Sequence, residues 1–159
     1  MKKIIMSIIA FLLLALIVSA GVAGAQNFRS GDNVTVGKGQ VVNSTLWASG
    51  RNIDIAGSVR GDVFCAGQNV TISGTVEGDV ICAAQTIRIA GTVNGDVRLA
   101  GQNVTISGDV SHNSSIAAQT FSLEGSGNVA GDANVAASDV NLNGVIGRDA
   151  ALAAQTVVL

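Results

Sequence analysis

The tripeptide Gly-Asp-Val begins at residues 61, 78 and 95, so this chain repeats itself every 17 residues. The repeat extends well beyond the tripeptide. The segment 44–60, STLWASGRNIDIAGSVR, aligns residue for residue with GDVFCAGQNVTISGTVE at 61–77. Downstream, GQNVTISGDVSHNSSIAAQTFSLEG keeps the register. Two extra residues then enter around GSGNVAGDANV, and ASDVNLNG and AAQTVVL resume it. Gly57, Gly74, Gly91, Gly108, Gly125 and Gly144 read as one recurrent corner, spaced 17, 17, 17, 17 and 19. A fixed period of this length is the mark of a stacked repeat fold, which sets the context for every single residue.

Inside each repeat, apolar residues alternate with polar ones. Val63, Cys65, Val70, Ile72 and Val76 are separated by residues such as Phe64, Thr71 and Ser73. A period of two with β-branched enrichment means strand. Gly, Gln-Asn or Gly-Asp follows each short apolar run, so strands of about three to five residues are expected between turns. Helix is excluded by the alternation and by the frequency of glycine. The fold class that follows is all-β, a single parallel β-solenoid with about 17 residues per coil. Equivalent residues of successive coils then stack about 4.8 Å apart.

The register predicts four interior columns. One holds Val70, Ile87, Val104, Phe121, Val140 and Val157; a second holds Ile72, Ile89, Ile106, Leu123, Leu142 and Leu159. A third runs from Val59 through Val76, Val93, Val110 and Val129 to Ile146, and a fourth from Cys65 through Cys82, Leu99, Ile116 and Val135 to Leu152. Composition suits so narrow an interior. Of the 159 residues 48% are hydrophobic but only 3% aromatic, so Val, Ala, Ile and Leu must fill it. With one His and no Tyr the chain is poor in the groups enzymes use. A net charge of −2 with scattered basic residues leaves no nucleic-acid footprint.

Residues 1–25 stand apart. Lys2 and Lys3 precede the apolar run IIMSIIAFLLLALIVSAGVA, which closes on the small-x-small pattern Ala23-Gly24-Ala25. This reads as a secretory signal peptide. The alternative is an uncleaved membrane anchor through residues 4–25, because the run approaches the ~20 residues that span a bilayer. No Cys lies near the cleavage pattern, which argues against a lipid anchor. On either reading the rest of the chain is exported. Residues 26–40 are expected to be an irregular segment or cap, and 41–159 the solenoid.

Few residues suggest chemistry. Cys65 and Cys82 occupy the same inward position in adjacent coils. Export permits a disulfide, but the strand spacing exceeds the Cβ separation of ~3.8 Å that a disulfide prefers. Two thiols acting as small core hydrophobes are therefore expected. Asp62, Asp79 and Asp96 form a corner ladder, which Asp149 rejoins after departures at Asn113 and Asp132. A ladder of like charges invites a cation; the simpler expectation is turn aspartates accepting local backbone N–H groups. His112 reads as an exposed corner residue. Trp47, Phe64 and Ile81, followed by Arg98, form an outward column, which suggests lateral contact with another molecule or a surface, or else cover by the 26–40 segment. Asn33, Asn43, Asn69, Asn103 and Asn113 begin Asn-x-Ser/Thr, triplets that such a composition generates freely.

The motif V-x-G-D-V-x-x-A-x-Q-x-V-x-I-x-G at 59–74, 76–91 (with Ile87 for the third Val) and 93–108 resembles the bactofilin family of polymer-forming cytoskeletal proteins. The resemblance covers residues 41–159. It implies a right-handed β-helix assembling end to end into non-polar filaments without nucleotide or metal, as a scaffold for cell shape and wall-associated machinery. Ordinary bactofilins are cytosolic, so the export signal marks a departure and points to an extracytoplasmic relative.

The residues themselves also suggest assembly. The sequence reaches Leu159 within the predicted strand QTVVL. An unpaired edge there, with Val140, Leu142, Leu152, Val157 and Leu159 beneath it, is a template for another strand. The expected partner is therefore a second copy, with envelope components or membrane as others, and no cofactor. Three other readings compete with assembly. A polysaccharide-active β-helix enzyme needs clustered acids, long loops and sugar-stacking aromatics, which the minimal loops do not supply. Hexapeptide acyltransferase solenoids are excluded because 17 is no multiple of six. A surface-adhesive module remains open, but ice binding needs a Thr array, and the column Thr71, Arg88, Thr105, Ser122, Asn141 is too mixed.

Overall fold

The computed structural model describes residues 27–159, and every regular element among them is a β-strand. The expected signal peptide or anchor at residues 1–25 lies outside the described residues. Ten-residue strands run Asn27–Val36, Leu46–Ile55, Val63–Ile72, Val80–Ile89, Val97–Ile106, Ser114–Leu123 and Ala133–Leu142. They pair in parallel in chain order to form one long sheet, completed by Ala150–Ala153 and Thr156–Val158. Two-residue strands, from Val41–Val42 to Val145–Ile146, build a second sheet of seven strands, again in chain order. The result is a parallel β-solenoid of about eight coils.

The strands are longer than the turn-forming residues suggested. At Gly67-Gln68-Asn69 the chain turns a corner without leaving extended conformation. Gln68 and Asn69 both face solvent, and the pairing skips Gln68 while holding on either side. Breaking the alternation once rotates the following side chains into the core. Val63 and Cys65 thus point inward before the corner, and Val70 and Ile72 after it. The side chains at the corner pair with their own kind: Asn69 Nδ2 donates to Asn52 Oδ1 at 3.0 Å, and Gln85 Nε2 donates to Gln102 Oε1 at 3.1 Å.

All four predicted columns are interior. Val70, Ile87, Val104, Phe121 and Val140 are each at most 1% exposed, and Ile72 through Leu123 are fully buried. A fifth column contains the Val of each Gly-Asp-Val, running Leu46, Val63, Val80, Val97, Ser114 and Ala133. No coil covers the last one described, so its members are less buried: Leu142, Ile146 and Leu152 are half-buried, and Val157 and Leu159 are 43% and 87% exposed.

Three expectations are corrected. The segment expected as an irregular stretch or cap at 26–40 is, over the described residues 27–40, part of the stack, because Asn27–Val36 is a full strand, pairing from Asn27↔Leu46 to Val36↔Ile55. The offset of 19 rather than 17 conceals this coil in the sequence; the turn at Gly37–Gln40, with Gly39 at φ 79°, absorbs the difference. Second, the glycine corner is continued by Gly127 rather than Gly125. Asn128 N–H donates to Gly108 O, and Val145 N–H to Gly127 O, the bond that Thr75 N–H makes to Gly57 O. A Cβ on Gly127 would lie 2.6 Å from the Ile106 carbonyl oxygen, whereas one on Gly125 would meet nothing closer than 3.7 Å. The two extra residues therefore enter before the corner, at Glu124–Ser126, where Glu124 reaches Arg88 at 3.2 Å. Third, Asp132 belongs to the corner ladder, and only Asn113 departs from aspartate among the positions from Asp62 to Asp149.

Candidate functional site

The aspartate ladder is a structural device. Asp62 Oδ1 accepts the backbone N–H of Asp79 at 2.9 Å, and Asp79 Oδ1 that of Asp96 at 2.9 Å. The chain of bonds continues through Asp96 to Asn113, Asn113 to Asp132, and Asp132 to Asp149. The acceptor role expected of these residues is therefore correct, but each donor lies one coil on rather than in the same turn. Asp79 and Asp96 also share Arg98, whose guanidinium lies 3.2 and 3.1 Å from their carboxylates. Among the described residues no cluster of His, Cys, Asp or Glu is placed to hold a metal ion.

The thiol expectation is overturned. Cys65 and Cys82 form a disulfide between adjacent coils, their Cα atoms 4.5 Å apart. That separation is inside the usual range of ~4.4–6.8 Å. Two equivalent side chains in stacked strands start closer than an average ladder spacing suggests, and their sulfurs need only lean together. Both residues remain buried, so the bridge sits within the core column.

The surface outside this bridge is the most unusual on the molecule. Trp47, Phe64 and Ile81 stack in register facing outward, as expected. Residues 27–40 do not cover them. They extend the stripe instead, for Phe28 pairs with Trp47 and is 69% exposed. Phe28 is recoverable in principle, since SGDNVTV at 30–36 echoes SGRNIDI at 49–55, but the 19-residue offset hides it. The Trp47 and Phe64 rings are stacked, centroids 4.2 Å apart and 8° from parallel. Their faces therefore contact each other, and it is their edges that meet solvent. Such a ridge offers apolar contact and no flat platform for a sugar ring.

Beside the ridge runs a column of small residues, Ala66, Ala83, Ala100, Ala117, Ala136 and Ala153. Ridge and alanine floor together form an open groove of about 910 Å³ along the solenoid axis. The ridge column changes character halfway: after Ile81 it continues as Arg98, Ser115, Asn134 and Ala151. One half of the face is bulky and apolar, the other low and partly polar.

The remaining candidates are placed separately from this face. His112 is an exposed corner residue, as expected. Arg29 takes the position that Ala48 and Cys65 hold in later coils, and its guanidinium donates to Thr35 O at 2.8 Å, so one column is polar in the first described coil. Val140, Leu142, Leu152, Val157 and Leu159 all lie in the last two coils. No family model, curated protein or solved structure matches the chain.

Proposed function

We propose that the chain is a non-enzymatic scaffold protein of the cell envelope that assembles by end-to-end stacking of its solenoids. One observation carries the reading: each coil presents to the next the same columns and backbone groups that it received from the one before. A surface built this way is a template for any coil of the same kind, including one from another copy. At the C-terminal edge, Leu142, Leu152, Val157 and Leu159 would form the contact, while Val140, expected there from the sequence, is buried beneath Val157. The resemblance of the repeat to bactofilins supports the same reading, with a right-handed β-helix and assembly that needs no nucleotide or metal. The leader supports export, with removal as a signal peptide or retention as an anchor through residues 4–25.

Electron microscopy of the full chain, purified as the expressing cell processes it and without nucleotide, tests this. Filaments are expected at micromolar concentration, and Val157→Arg or Leu159→Arg abolishes them. Monodisperse monomers across salt and pH would overturn the proposal. The lateral groove favours a second reading, a surface-binding solenoid, which predicts binding to envelope fractions in the absence of filaments. Activity on acidic polysaccharides, lost on changing Asp79 and Asp96, would favour an enzyme instead.

A further inference from the structure

We propose that the ridge-and-floor face pairs with the same face of a second copy, antiparallel, about a two-fold axis between Ile81 and Arg98. This contact is lateral and independent of end-to-end stacking. Its basis is the reversal of the ridge column at its midpoint. The column has eight in-register positions, from Phe28 to Ala151. An antiparallel two-fold sets the first against the last, so Phe28 meets Ala151 and Trp47 meets Asn134. Continuing inward, Phe64 meets Ser115, and Ile81 meets the aliphatic stem of Arg98. Every large apolar side chain thus faces a small or slender one, the self-complementarity that an isologous contact requires.

The chemistry agrees with the shape. Among the described residues the Trp47 indole N–H makes no hydrogen bond within the chain, and the opposing Asn134 amide supplies an acceptor. The Arg98 charge is already matched by Asp79 and Asp96 at the corner, so its stem can be covered while its head stays at the rim. Eight rungs at about 4.8 Å and five residues of strand at about 3.3 Å give a face of roughly 34 by 16 Å. Two such faces bury about 1,100 Å², just above the ~1,000 Å² expected of a specific interface. A bilayer fits less well: it would reward apolar side chains along the whole column, whereas the half beyond Ile81 is Arg98, Ser115 and Asn134.

The test uses the full chain, purified as the expressing cell processes it and carrying Val157→Arg to suppress end stacking, so that lateral pairing is judged separately from filament formation. Trp47 is replaced by the photo-crosslinker benzoylphenylalanine, and isotopically light and heavy copies are mixed. Mixed-isotope cross-links from position 47 to residues 133–137 are expected, with dimers in sedimentation at micromolar concentration. Ser115→Trp or Asn134→Trp, both on exposed positions, weakens the dimer at least tenfold, while Asp109→Trp on the other sheet leaves it unchanged. Intermolecular cross-links confined to the 28–64 stretch, cross-links to lipid or detergent, no cross-links at all, or equal effects of Ser115→Trp and Asp109→Trp would each overturn the pairing.

Discussion

Asp79 Oδ1 accepts the backbone N–H of Asp96, 17 residues on, at 2.9 Å. One carboxylate oxygen ties two coils together, and the same atom position does so five times between Asp62 and Asp149. Asn113 serves as well as aspartate, accepting from Asp132 N–H at 2.9 Å. The bond therefore requires an acceptor oxygen and not a charge. Asp79→Ala should destabilise the fold by about 1–3 kcal/mol, since it leaves a partly buried N–H without its partner. Asp79→Asn should cost under about 1 kcal/mol, because only exposed contact with Arg98 is weakened. Thermal melts of the two variants, with and without calcium, check this; a large calcium-dependent shift in the unmodified protein would contradict a purely structural ladder.

The Cys65–Cys82 bridge closes a loop of one coil. Intact mass of the protein purified under oxidising conditions is expected to be 2 Da below the reduced value, the loss of two hydrogens. Reduction should lower stability by about 3 kcal/mol on the chain-entropy estimate for a loop of this size. The circular-dichroism strand signal should survive at moderate temperature, because each Cys still fills its place in an apolar column. Two free thiols in the protein purified under oxidising conditions would refute the bridge.

Gly127 and Gly125 separate two readings of where the inserted residues sit. Gly127→Ala should destabilise by about 1–3 kcal/mol through forced displacement of packed backbone, since its Cβ would lie 2.6 Å from Ile106 O. Gly125→Ala, in open surroundings, should change stability by less than about 0.5 kcal/mol. Chemical denaturation of both variants makes the comparison; the reverse order would return the corner to Gly125.

Ser114 is fully buried in the fifth column, and its hydroxyl has no hydrogen-bond partner. The three preceding coils hold Val at that position, and the same coil carries Phe121 where others hold Val or Ile. Ser114→Ala should therefore stabilise the protein by about 1 kcal/mol, as an unsatisfied buried group is removed. A melt showing lower stability would mean that the hydroxyl has a partner in solution.

The interior of this protein is legible in the sequence because in a parallel stack like lies over like. A period of 17 with alternating apolar residues determines which side chains share a column, and Val70, Ile87 and Val104 fall where the period puts them. The outward position of Trp47, Phe64 and Ile81 follows from the same alternation. Only the tertiary structure decided how irregular segments join the stack. Insertions fit anywhere between fixed rungs, and backbone pairing alone selects Gly127 over Gly125 and makes Asn27–Val36 a coil. Contacts between coils also lie beyond the period: it aligns Cys65 with Cys82 and Asp79 with Asp96, but whether sulfurs meet or an oxygen reaches the next N–H depends on side-chain rotamers and sub-ångström spacing. The groove combines both kinds of information. Its alanine floor repeats with the period, while Phe28, the residue that begins its ridge, arrives through an offset that only strand pairing reveals.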